Sequence, residues 1–150
     1  MASTYRTARK KIVEALVERL KTIDGQFPNN SNVFLNVHGG MTFLDDIQEF
    51  PKICVVAGNE TREYQPNEFK WRFMNVDIRV YVEDQDDPQE VLSLLMEDIE
   101  RVIDNNDVLT YDDTVSPHLT TTSLTLESMS TDEGVLEPLG IGELTLECRY

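Results

Sequence analysis

Residues 71–88 read Trp71-Arg72-Phe73-Met74-Asn75-Val76-Asp77-Ile78-Arg79-Val80-Tyr81-Val82-Glu83, then Asp84-Gln85-Asp86-Asp87-Pro88. Met74, Val76, Ile78, Val80 and Val82 alternate with Asn75, Asp77, Arg79, Tyr81 and Glu83. Side chains in a strand point to opposite faces at every step, so this is a strand with one buried face. Trp71 and Phe73 put aromatics on the otherwise polar face, which predicts that this end is covered by another element or another subunit. The acidic run then stops the strand and starts a helix. Asp87 is placed to cap it, Pro88 fits its first turn and Glu90 suits its positive end.

Working outward, Val91, Leu92, Leu95, Ile99, Val102 and Ile103 form the apolar stripe of that helix, and 104–107 closes it. Toward the amino terminus, Ala8, Ile12, Leu16, Leu20 and Ile23, joined by Val13 and Val17, predict a first helix. Ser3 or Thr4 is expected to cap it and Gly25 to end it. Pro51–Gly58 reads as a strand buried on both faces, and Asn59–Phe69, polar and containing Pro66, as a long hairpin loop. The run 33–37 predicts a short strand or extended arm between turn formers. Leu119–Met129 predicts a Thr/Ser-rich strand. In the last strand Leu144, Leu146, Cys148 and Tyr150 alternate with Glu143, Thr145, Glu147 and Arg149, while Gly39-Gly40 and Gly140-Ile141-Gly142 read as turns. The order helix–β–β–helix–β–β predicts an α+β fold: a mixed or antiparallel sheet with two helices packed on one face. At 150 residues the chain is read as one domain, 1–150.

The charge restricts function more than the pattern does. Thirteen Lys and Arg against 28 Asp and Glu give −15. Residues 1–21 hold six basic and two acidic groups, net +4, which leaves −19 for the rest. A body this acidic repels phosphate backbones and anionic lipid, so sequence-reading nucleic-acid binding and membrane attachment are poor expectations. The basic residues Arg9, Lys10 and Lys11 are read as the solvated face of the first helix, with contact to an acidic neighbour as a second role. No apolar run approaches membrane-spanning length and the first residues lack a secretory pattern. The expected setting is therefore a cytoplasm, where Cys54 and Cys148 stay free and buried.

No catalytic or metal motif stands out. His118 with Cys148, or with Ser116, lacks a nucleophile elbow or oxyanion loop, and His38 lies among glycines. The Glu83–Asp87 run lacks the glycine and terminal glutamate of a calcium loop. No enzyme, metal or cofactor is expected.

A job comes from resemblance. The stretch from Ser130-Thr131-Asp132-Glu133-Gly134-Val135-Leu136-Glu137-Pro138-Leu139-Gly140-Ile141-Gly142-Glu143 into Leu144–Tyr150 resembles the tail terminator proteins of long, flexible-tailed, T5-like bacteriophages. Phe50-Pro51, Val55, Gly58-Asn59-Glu60 and the passage from Asp77 to Asp104 support it. The resemblance implies a structural protein of the virion tail that closes into a hexameric ring at the head-proximal end of the tube. Its implied partners are further copies of itself, the tail tube protein and a head completion or stopper protein, with double-stranded DNA only as passing cargo. A ring needs a heterologous interface. The candidates for subunit or tube contact are Trp71 and Phe73 with Glu60 in the neighbouring loop, and Asp132, Glu133, Leu136, Leu139 and Ile141 in the 131–142 loop. That loop is more apolar than a solvated one requires; the opposing reading is that it folds back over its own sheet edge. A head–tail stopper or another tail completion protein is the alternative within the phage class. A stand-alone cytoplasmic module binding a small molecule or a protein is the alternative outside it.

Overall fold

A computed structural model describes residues 8–150; the expected cap residues Ser3 and Thr4 lie outside the described residues. The elements run α1 (Ala8–Leu20), β1 (Val37–Gly39), β2 (Lys52–Tyr64), β3 (Lys70–Glu83), α2 (Pro88–Asn105), β4 (Thr110–Asp112), β5 (Leu119–Thr120), β6 (Ser123–Thr131) and β7 (Leu139–Arg149). Five strands form one sheet in the order β1-β2-β3-β7-β6, with β4 and β5 paired separately. All pairs in the main sheet are antiparallel except β1 with β2. The α+β class with a mixed sheet stands as expected.

β3 is the centre of that sheet. Its five inward residues, Met74 through Val82, are all buried, as the alternation required. They share one core with Ile12, Leu16 and Leu20 of α1, with Leu92, Leu95, Ile99 and Ile103 of α2, and with Leu144, Leu146 and Cys148 of β7. Both helices therefore pack on the same face, α1 over β1 and β2, α2 over β3, β7 and β6. Each such Ile or Leu contributes about 1.5–3 kcal/mol by leaving water. The Asp87 carboxylate accepts the Glu90 N–H at 3.1 Å, with Pro88 in the first turn, so α2 starts as read.

Five boundaries differ from the expectations, one being the strand expected over Leu119–Met129, which breaks at 121–122 into β5, paired with β4, and β6, in the main sheet. The first helix stops at Leu20, not at Gly25. The Thr22 hydroxyl donates to the Arg19 carbonyl at 2.6 Å, and Gly25, with φ of +82°, serves the following turn. The Asn59–Phe69 loop is mostly strand: β2 continues to Tyr64, opposite Lys70, and only residues 65–69 turn. The short strand begins at Val37 and takes in His38 and Gly39, because it pairs in parallel with Ile53–Val55. Finally, Gly140-Ile141-Gly142 is not a turn but the start of β7. A Cβ at Gly142 would lie 2.8 Å from Met96 Sδ, and one at Gly140 2.9 Å from Val82 Cγ2. The two glycines let α2 and β3 approach β7 closely.

Two bulges re-aim side chains. Between Ala57 and Glu60 one extra residue enters β2, so Glu60 rather than Asn59 lies opposite Met74 and faces the helices. Between Leu126 and Ser128 an extra residue enters β6, which turns Met129 toward the same side, level with Leu144.

Candidate functional site

The hairpin β2–β3 is longer than the sheet that carries it. β7 ends level with Phe73, whereas the hairpin runs on through the pairs Arg62–Arg72, Glu63–Trp71 and Tyr64–Lys70. Its base is fastened by Glu60, whose side chain is only 8% exposed. Arg9 donates to Glu60 Oε2 at 3.0 Å and to the Gly58 carbonyl at 3.0 Å. Arg62 lies 3.4 Å from Glu60 Oε1, and the Tyr150 hydroxyl donates to the same carboxylate. Two residues singled out separately in the sequence, Arg9 and Glu60, thus form one ion pair.

Trp71 and Phe73 point to the face opposite the helices. The Arg149 guanidinium stacks 4.2 Å from the Trp71 ring centroid and Phe69 meets the ring edge-on at 4.9 Å, while Trp71 and Phe73 both stay half-buried. Phe69 and Tyr64 at the tip stay exposed.

The other basic candidates are partly matched within the chain. Lys11 donates to Asp112 at 2.7 Å, and Lys10 lies 3.7 Å from Glu14 on the solvated side of α1. The Lys11 ammonium, with the hydroxyl and N–H of Thr114, holds the Asp112 carboxyl well below its ordinary value.

The 131–142 loop is organised by Asp132. Its carboxylate accepts the N–H groups of Leu136 and Ile141 at 3.0 and 3.2 Å and the Gln89 side chain at 2.9 Å, which lowers its pKa against the effect of burial. Glu133 is exposed at a φ of +56°, Leu136 is exposed, and Leu139 and Ile141 are half-buried at the start of β7. Val135 stands 81% exposed beside Leu136, so the loop points an apolar tip outward while its base folds on the sheet.

Sequence reasoning missed two features. Asp98, fully buried in α2, accepts the N–H groups of Asn30 and Ser31 at 2.8–3.0 Å and pairs with Arg101 at 3.1 Å. It ties the 26–33 segment to the helix; the available signal was an acid three residues after Leu95, on the apolar stripe. The second feature is the surface of the 26–46 segment. Phe27 is 98% and Phe43 82% exposed, and Phe34 and Leu35 are exposed at φ values of 50° and 62°. Left-handed backbone at two successive bulky residues is costly, and here it holds apolar side chains toward solvent.

The chemical candidates are not assembled into a site. His38 and His118 are exposed, the former with Nε2 3.1 Å from Asn36 Oδ1. Cys54 and Cys148 are free and buried, and burial, aided by the Glu60 charge, pushes the Cys148 thiol up to about 12. A thiol so placed is a poor nucleophile. Asp84 and Asp87 spend their carboxylates on local backbone N–H groups, and no acidic or thiol cluster suited to a metal occurs among the described residues.

The chain is similar to known proteins along nearly its whole length. The family described as Bacteriophage Tail Tube Terminator Protein matches residues 6–150. Tail tube terminator protein p142 of Escherichia phage T5 is 38% identical over 151 residues, covering 95% of this chain and 92% of p142. A chain from the virion of a native gene transfer agent particle shares the fold at a TM-score of 0.59 and 10% identity, over 97% of this chain and 98% of that one. With the match running from α1 to the end of β7, the chain belongs to the bacteriophage tail tube terminator family, a structural component of the virion tail.

Proposed function

We propose that this chain closes the head-proximal end of the tail tube as a homohexameric ring. The ring arrests addition of tube protein, presents a platform to a head completion or stopper protein, and passes double-stranded DNA along its axis. The observation that carries the reading is where the chain leaves its apolar surplus. Phe27, Phe34, Leu35, Phe43, Phe69 and Val135 stand exposed on loops and turns while the core is filled without them. Apolar side chains displayed on separate projections suit a subunit that meets neighbours on several sides. The role is passive: the whole chain, as one domain assembled in the host cytoplasm, acts by shape and field, without bond chemistry, a cofactor or a membrane.

Part of the −15 faces the lumen in this reading, since carboxylates repel passing phosphates and keep the channel free of tight contacts. Tails assembled without the protein are expected to overrun their normal length in electron micrographs. Tails of normal length would overturn the terminator role, and a ring with a basic lumen would overturn the electrostatic one. Leu136→Ser with Leu139→Ser separates contact from packing in the 131–142 loop. Loss of tail capping at an unchanged melting temperature supports contact, and a lowered melting temperature supports self-packing.

A further inference from the structure

The hairpin tip and the groove between α2 and β6 are complementary surfaces that one molecule cannot bring together. On the helix side of the tip lie Arg62, Tyr64, Lys70 and Arg72, a basic and aromatic stripe in a chain that is otherwise strongly acidic. Lys70 makes no ion pair among the described residues; its ammonium lies 5.6 Å from the centroid of the exposed Tyr64 ring. The groove, about 490 Å³ in volume, is lined by Glu97 and Glu100 of α2, Glu133 of the following loop, and Met96 and Met129. Those three glutamates are exposed and have no ion-pair partner among the described residues. The bulge in β6 is what turns Met129 into this groove, and among the described residues β6 has no strand on its outer side. An open edge is a place where proteins add a neighbour or must defend against one.

Register sets the distance. Met129 lies level with Leu144 and Ile78, and Lys70 is eight residues back along β3. At roughly 3.3 Å per residue that is about 26 Å along the sheet, with β7 standing between β3 and β6. The tip therefore cannot fold back into its own groove. Two different patches at opposite ends of one protomer, each fitted to the other, make a head-to-tail contact, and such contacts close into rings when the rotation permits.

We propose that the β2–β3 hairpin tip of one copy seats in the α2–β6 groove of the next. Lys70 and the neighbouring arginines meet Glu97, Glu100 and Glu133, and Phe69 lies against the Met96–Met129 floor, a soft surface suited to an aromatic ring. The inference rests on the ring reading and gives it its interface.

The test uses the full chain on terminator-free tails. Lys70→Glu alone, and Glu97→Lys with Glu100→Lys alone, each weaken capping about tenfold or more, because like charges then face each other. All three together restore capping to within about twofold of the parent chain. Melting temperatures stay unchanged, since Glu97 and Glu100 are exposed and the half-buried Lys70 makes no ion pair among the described residues. In parallel, Phe69→Cys with Met129→Cys is oxidised on capped tails. The two positions are too far apart within a molecule to bridge, so a ladder of cross-linked copies marks contact between neighbours. A multi-copy ring on the tails without a ladder, or reversed-charge variants that cap normally, overturns the tip-in-groove contact and leaves the ring standing. A single copy per tail overturns both.

Discussion

Two carboxylates decide how the amino-terminal part of the chain is held, and each makes a measurable claim. Asp98 is fully buried and satisfies the N–H groups of Asn30 and Ser31 as well as Arg101. Asp98→Ala strands two backbone donors and one guanidinium, which costs about 3 kcal/mol in a urea titration. A loss under about 1 kcal/mol would mean that the 26–33 segment relaxes and re-solvates those donors. Asp112 differs because its interaction is titratable. Its folded-state pKa is depressed by Lys11 and Thr114, so its contribution is fully present above the unfolded value and is lost as pH falls through the folded one. Lys11→Met removes the main cause. The stability gap between parent chain and variant is therefore widest near neutrality and closes on acidification below about pH 5, read from denaturation midpoints across pH. A gap independent of pH would assign the effect of Lys11 to packing of its aliphatic stem.

At the scale of elements, the close seating of α2 is the feature most open to test. Gly142 lies where a Cβ would come within 3.0 Å of both Met96 Sδ and Leu92 Cδ1. Met96 can swing aside, but Leu92 is part of the filled core, so Gly142→Val overpacks this contact and costs about 1–3 kcal/mol of thermal or urea stability. An unchanged melting temperature would show that α2 shifts freely over β7. The same glycines show where the sequence was legible and where it was not. β3, α2 and the outer half of β7 could be read because alternation and a helical stripe report one-sided burial directly. Gly140 and Gly142 carry no such signal: a glycine in a turn and a glycine under a helix look alike until the helix is placed. The far half of β2 was missed for a related reason. Residues 59–64 are polar and become strand only because β3 continues beside them, a tertiary cause absent from their own pattern. Of the contact candidates, Arg9 and Glu60 could be named singly, but their pairing depends on the bulge after Ala57, which no local spacing announces. Phe34 and Leu35 were present in the sequence yet gave no sign of facing outward, since that goes with a left-handed backbone their residue types do not announce.

For the whole molecule, net charge and local complementarity pull assembly in opposite directions, and salt separates them. Copies of a −15 chain repel one another over long range, and at low ionic strength that repulsion extends well beyond the contact surface. With a Debye length of roughly 30 Å at 0.01 M and 10 Å at 0.1 M, raising salt first removes the mutual repulsion of whole protomers. The contacts between Lys70 and the glutamates of the groove act over a few ångströms and weaken only when the screening length becomes comparable, about 3 Å near 1 M. Capping of purified terminator-free tubes is therefore expected to rise with salt, pass through a maximum between these limits and fall again. The falling limb belongs to the tip and groove. In Lys70→Glu, where close attraction has become repulsion, capping should stay weak and rise throughout, with apolar contacts alone holding the ring. A parent chain whose capping declines steadily from the lowest salt would mean that short-range ion pairs outweigh the charge of the body even unscreened. A falling limb kept intact in the variant would place those ion pairs somewhere other than Lys70.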